Sequence, residues 1–172
     1  MTAETLVPLA AFVLGALVTQ AGNIIRDSKR DQRADRQRER ERQVATIDEL
    51  QDALSELVRT TGAIHAENLQ TLHAGGSLAT TLLPEDKDRA HQAAILHVNQ
   101  LRVRVADRLM RDDIERFVGL TTSLIMPMQA SPEENLQAVE REFDALMPYW
   151  ENLNGRLGAA TRDLGRLLDG SA

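Results

Sequence analysis

The chain has no cysteine, only two lysines (Lys29 and Lys87) and only five aromatic residues. Without thiols there can be no disulfide framework, no thiolate zinc site and no cysteine nucleophile, and the composition suits a reducing compartment. The aromatics are Phe12, Phe117, Phe143, Tyr149 and Trp150, so a packed core has to be assembled from Leu, Ile, Val and Ala. Arginine fills almost every basic position, the bias expected of a GC-rich coding sequence. Strand-like alternation and internal repeats are also missing. Leu, Ala, Arg and Glu dominate instead, the composition of a helical protein.

Charge is missing altogether from residues 5–25, "TLVPLAAFVLGALVTQAGNII". A hydrocarbon layer of about 30 Å is crossed by about 20 residues of helix, so this run has the length of one span. A signal peptide would carry a basic amino-terminal region and a shorter apolar run, and "MTAE" has no basic side chain. A buried core helix would rarely be followed by eighteen residues free of Leu, Ile, Val and Phe. Residues 1–25 are therefore expected to be a transmembrane segment. Arg26, Lys29, Arg30 and Arg33 flank it on one side, facing Glu4 on the other. Basic flanks stay in the cytoplasm and face anionic lipid headgroups. The expected topology puts the amino terminus outside a cell inner or plasma membrane and the rest of the chain inside. Within the span Ala11, Gly15 and Thr19 form a row of small residues that lets two helices approach closely, one route to a homo-oligomer.

The net charge of −6 is unevenly spread. Residues 26–43 hold 8 basic and 5 acidic groups, whereas residues 44–172 hold 12 basic and 20 acidic. Nucleic-acid modules are basic over their folded part, and here that part is acidic, which disfavours nucleic acid as a partner.

Residues 26–43 read as a charged helical stalk. The apolar spacing of the following helix, through Ile47, Leu50, Leu54, Leu57, Thr61 and Ile64, extends backwards to Gln43, Arg40, Arg36, Arg33, Lys29 and Arg26. A coiled-coil seam needs apolar residues there, so the stretch forms none in that register. Asp27, Asp31, Asp35 and Glu39 recur every four residues, and pairs such as Asp35–Arg38 sit three apart. Each such pair adds about 0.2–0.5 kcal/mol to a helix.

Residues 44–172 are expected to form an antiparallel bundle of about four helices. The first runs from Val44 to Ala74 and stops at Gly75-Gly76. The second starts near Pro84, with acids favouring its amino-terminal dipole. It presents Ala94, Val98, Leu101, Val105 and Leu109 as its apolar face. A break is expected at "RDDIERF", where Asp112 precedes Glu115 by the capping-box interval. The third helix carries Ile114, Phe117, Val118, Leu124 and Ile125 as far as Pro127. Ser131-Pro132-Glu133-Glu134 starts the fourth, which Pro148 should kink or split.

Motifs of chemistry are sparse. None of His65, His73, His91 and His97 stands four residues from another, and there is no Glu-x-x-His, so the bundle dimetal pattern is absent. Asp88-x-x-His91 is one weak half of such a site. Gly75-Gly76-Ser77 lacks the Lys-Ser/Thr of a phosphate loop. No cofactor, metal or catalytic triad is expected. Arg104, Arg108 and Arg111 share one face of the second helix, a site for an acidic partner or a solvated face paired with acids such as Asp107 and Glu115. Tyr149 and Trp150, beside Pro148, are either core packing or a partner contact.

An uncharged span, a charged stalk and a Leu/Ala/Arg-rich bundle, carried by "LGALVTQAGNIIRDSKRDQRADRQRERERQ" and "LNGRLGAATRDLGRLL", resemble a broad group of uncharacterised membrane-anchored helical-bundle proteins from high-GC Gram-positive bacteria and their phages. The layout is also similar to the b subunit of rotary ATP synthases, from which it departs where Gly and Pro fold the chain back on itself. The resemblance implies no catalytic residues. The expected function is a membrane-anchored adaptor or scaffold for a protein partner. The alternatives are a membrane-tethered enzyme or ligand-binding bundle and a phage-type membrane-lesion protein.

The stalk is expected to act as a spacer and not as a recognition element. A synthetic peptide covering 26–43 should sediment as a monomer at physiological salt, because exposed ion pairs are weak and screened; a stable dimer would contradict this.

Overall fold

A computed structural model describes residues 3–78, 82–125 and 132–168, with side chains for 31–78, 82–125 and 134–168. Among these the chain is all α, with four helices and no strand: α1 (Ala3–His73), α2 (Glu85–Arg102), α3 (Arg108–Ile125) and α4 (Pro132–Leu168). It divides into two compact units, residues 1–41 and 42–172.

In the first unit the described side chains are solvated, as expected of a helix with no apolar face. Arg38 pairs with Asp35 at 3.5 Å, and Gln37 donates to Glu41 at 3.1 Å. The expected span, its small-residue row Ala11, Gly15 and Thr19, and the flanking Arg26, Lys29 and Arg30 lie outside the residues whose side chains are described. Arg33 is exposed. No helix among the described residues is long and apolar enough to cross a membrane.

The second unit is an up-down-up-down four-helix bundle. Thr60 of α1 meets His91 of α2, and Glu67 meets Lys87. Arg102 of α2 pairs with Glu115 of α3. Asp113 of α3 pairs with Arg156 of α4. Gln51 of α1 and Asn154 of α4 bond at 2.8 Å, while His65 of α1 stacks on Phe143 of α4. Along α1 and α2, along α1 and α4, and along α3 and α4, where Phe117 also meets Tyr149, the numbers rise on one helix as they fall on the other, so these neighbours are antiparallel, as short connections favour.

The core follows the 3–4 spacing of apolar residues. Ile47, Leu50, Leu54, Leu57 and Ile64 of α1 are buried with Ala94, Val98 and Leu101 of α2, Ile114, Phe117 and Leu124 of α3, and Leu146, Leu153 and Leu157 of α4. Phe117 is fully buried, with the rings of Tyr149 and Trp150 6.1 and 5.8 Å away.

The first helix ends as the two glycines require. Gly76 N–H bonds the Thr71 carbonyl and Gly75 N–H bonds that of Leu72, both at 2.9 Å. This is the paired hydrogen-bond pattern of a Schellman motif. Gly75 has φ +75°, and a Cβ on Gly76 would stand 3.0 Å from the Thr71 carbonyl oxygen. Side chains are excluded at one glycine by backbone conformation and at the other by space.

Two expectations fail at the next corner. The second helix stops at Arg102, not near Asp112, so Leu109 does not continue its apolar face: it is 69% exposed, and Met110 is buried in its place. The start of α3 is capped by Asp107, whose Oδ1 accepts the Met110 N–H at 3.0 Å. Asp112 lies inside α3, and Glu115 pairs with Arg102 instead of closing a capping box. At the far end, α4 is not split at Pro148. The missing N–H leaves the Asp144 carbonyl without its usual donor, but Asp144, Ala145 and Pro148 are all exposed, so water can supply it. Ser131, the expected cap of α4, lies outside the described residues.

Leu54→Ala or Leu101→Ala should cost about 2–5 kcal/mol in urea denaturation of the full chain, and Leu109→Ala, at a residue exposed on the subunit, should cost far less. Asp107→Ala should cost about 0.5–2 kcal/mol and Asp112→Ala far less. The reverse order for the two aspartates would place the start of α3 where the sequence alone suggested.

Candidate functional site

The α2–α3 corner, residues 103–107, contains neither Gly nor Pro. The helix first tightens, with Arg104 N–H on the Leu101 carbonyl and Val105 N–H on that of Arg102. It is then held open by side chains from other turns. Gln43 of α1 grips it with both ends of its amide: Nε2 donates to the Arg104 carbonyl at 3.2 Å, and Oε1 accepts the Ala106 N–H at 3.0 Å. Arg111 reaches back from α3 and donates to the carbonyls of Val105 and Ala106 at 2.6 and 2.9 Å. Orphaned backbone groups at two helix ends are thus satisfied without a glycine.

The three arginines expected on one face are separated by this corner. Arg104 lies in the turn, Arg108 is the first residue of α3, and Arg111 is occupied by the carbonyls. Arg104 and Arg108 are exposed. Beside them Val103 is 70% exposed, close to the value for Leu109. An apolar groove of about 270 Å³ opens next to the corner, with Ile47, Val105, Met110, Ala160 and Leu164 in its wall and Asp107 and Asp163 among its lining residues. Sequence reasoning missed the groove because it assigned Val105 and Leu109 to the same continuous helix face.

A second depression, of about 400 Å³, lies between α3 and α4 beside Pro148. Asp113, Tyr149, Asn152 and Arg156 line it. Its polar groups already serve the bundle: Arg156 and Arg116 both face the Asp113 carboxylate, and Tyr149 donates to the Asp113 carbonyl at 3.1 Å. Burial, reinforced by the negative Asp113, raises the Tyr149 phenol above its ordinary value, so it is a neutral donor at physiological pH. Tyr149 and Trp150 are half-buried against Phe117, which supports their packing role.

The end of the bundle remote from the corner has a more polar interior, with Thr60, Thr61, Asn68, His91 and Thr121 buried. Thr60 Oγ1 and Thr61 Oγ1 lie within hydrogen-bond reach of main-chain carbonyls of their own helix, the Leu57 oxygen in both cases. His91 is fully buried, with Nδ1 3.3 Å from Thr60 Oγ1 and no partner on Nε2 among the described residues. A hydroxyl beside an imidazole invites a nucleophilic reading, but both groups are buried, and among the described residues no carboxylate hydrogen-bonds the ring to orient it. His65 stacks on Phe143 with ring centroids 4.0 Å apart and planes at 10°. Burial lowers the basicity of both imidazoles, against weaker opposing attraction from Asp88 at His91 and from Asp144 and Glu140 at His65. Among the described residues no cluster of three His, Asp or Glu could hold a metal ion.

No protein-family model, curated protein or solved structure matches the chain.

Because the folded state resists protonating His91 and His65, the unfolded state binds their protons more readily. Their contribution to stability is complete above about pH 6.5, the ordinary value, and is lost as pH falls from there through the lowered native values. The melting temperature should therefore drop between pH 7.5 and 5.5, and His91→Asn should flatten that slope and leave the share due to His65. An unchanged slope in His91→Asn would assign the acid sensitivity elsewhere.

Proposed function

We propose that the protein is a membrane-anchored cytoplasmic adaptor or scaffold, in which residues 1–25 cross the membrane, 26–43 form a spacer and 44–172 present a bundle to a protein partner without catalysis. The core carries the reading. Its interior is filled mainly by Leu, Ile, Val, Ala and Phe side chains, and its buried imidazole has no exposure to solvent. Stable packing with function on the outer surface is what a scaffold needs; an enzyme needs convergent polar groups around a cavity that excludes water. The charge-free run at 5–25 and the one-sided basic flank of Arg26, Lys29, Arg30 and Arg33 support the anchor and its direction.

One observation favours a ligand-binding bundle as the second reading. The depression beside Pro148 gathers a carboxylate, a phenol, an amide and a guanidinium within one patch. The first reading is preferred because the carboxylate and the guanidinium are already paired and the phenol already donates to the Asp113 main-chain carbonyl.

A cytoplasm-dependent reporter fused after Ala172 should be active, and the protein should stay with membranes in high salt and in carbonate, since a span is not held by charge. Release by carbonate would remove the anchor from the proposal. An active reporter of the periplasmic type would reverse the orientation.

A further inference from the structure

We infer that the α2–α3 corner and the groove beside it are a self-complementary surface through which two copies of this chain pair. The inference is independent of the membrane reading.

The charge of the bundle is the first reason. Of its 12 basic groups four stand within residues 102–111, together with a single acid, Asp107; the rest of the bundle holds 8 basic and 19 acidic groups. Two copies repel one another over most of their acidic surface, and a two-fold contact at this corner also sets its arginines near one another, so the attraction it offers comes from the crosswise pairs of these arginines with the acids beside them. Arg102 and Arg111 are committed internally, to Glu115 and to the main-chain carbonyls. Arg104 and Arg108 are exposed, with no side-chain partner among the described residues. Their counterparts are close by: Asp107 and Asp163 line the adjoining groove, and Asp163 pairs with Arg166 in an exposed contact at 3.4 Å.

Shape is the second reason. The same patch carries both a projection and a recess. Val103 and Leu109 stand about 70% exposed at the corner, and the groove offers an apolar wall of Ile47, Val105, Met110 and Leu164. A surface bearing knob and hole, and both signs of charge, satisfies an isologous contact, in which residue i meets j and j meets i. In that arrangement Leu109 of each copy enters the other's groove and Arg108 of each meets the other's Asp163. The corner is braced by Gln43, Asp107 and Arg111, so the projecting residues are presented by a fixed backbone and little ordering entropy is lost on docking.

The test is the mass of the full chain, in detergent where needed, by sedimentation and light scattering at 150 mM salt. The chain should be a dimer of its 19.1 kDa subunit. Leu109→Asp, Arg108→Asp and Asp163→Arg should each raise the dimer dissociation constant at least tenfold with the helical signal unchanged. The double variant Arg108→Asp/Asp163→Arg should recover most of that loss, which a merely structural role for either residue would not produce. Four outcomes would overturn the inference. These are a monomer at tens of micromolar; a dimer indifferent to all three substitutions but broken by Gly15→Leu, which would place the contact in the residues near 11–19; failure of the double variant to recover; or a monomer that binds anionic vesicles through Leu109, which would make the corner a lipid contact.

Discussion

Everything in the bundle depends on one stripe of α1. Ile47, Leu50, Leu54, Leu57, Thr61, Ile64, Asn68 and Leu72 are buried along a single helix face, and α2 and α4 flank it while α3 closes the square. A helix satisfies its own backbone, but it cannot cover its own apolar stripe. Where the stripe begins at Ile47, solvated stalk gives way to packed bundle; where it ends at Leu72, the Gly75-Gly76 cap turns the chain back. Upstream the same register holds arginine and lysine, so the packed unit starts where the side chains on that face become apolar, although the helix itself continues.

The sequence was most legible where physics is local. Apolar spacing identified the α1 face, most of the α2 and α3 faces and the all-α class. The glycine pair marked the end of α1, and Pro132 marked the first residue of α4. Legibility failed at the α2–α3 corner because the break has no local cause. "RVRVADR" has no Gly or Pro, and Val and Arg are tolerated in helices. What stops α2 is a set of partners distant in sequence or hidden among similar residues: an amide from Gln43, a cap from Asp107 rather than Asp112, and a guanidinium from Arg111. The same error hid the groove, since a continuous helix would have buried Leu109 and aligned Arg104 with Arg108 and Arg111. Tyr149 and Trp150 were left open by sequence because Pro148 could have turned them outward. The exposed carbonyl side of the proline lets α4 run on, and both rings pack on Phe117.

The two ends of the bundle differ in kind. Near the corner the interior is apolar, the rim is charged and the surface is uneven. Towards the α1 cap the interior takes up threonines, an asparagine and a histidine. Interior hydroxyls bonded back to their own helix, as at Thr61 and Thr121, are satisfied but contribute little between helices. Stability is therefore expected to be concentrated at the corner end, and the polar end is the more sensitive to proton concentration. The α2–α3 corner and its groove lie on the firmer half.

The antiparallel order also has a consequence during synthesis. The stripe on α1 is complete once Leu72 has been made, yet the α4 residues that cover one of its sides, Phe143 to Leu157, come some seventy to eighty-five residues later. At about 5–20 residues per second that interval is on the order of ten seconds. Throughout it the nascent chain displays an apolar helix face that only α2 can partly shield. The charged run preceding Gln43, of which the described residues 31–42 are absent from the core, is rich in charge and poor in apolar side chains at that stage. It lies directly ahead of the segment most exposed to misassociation.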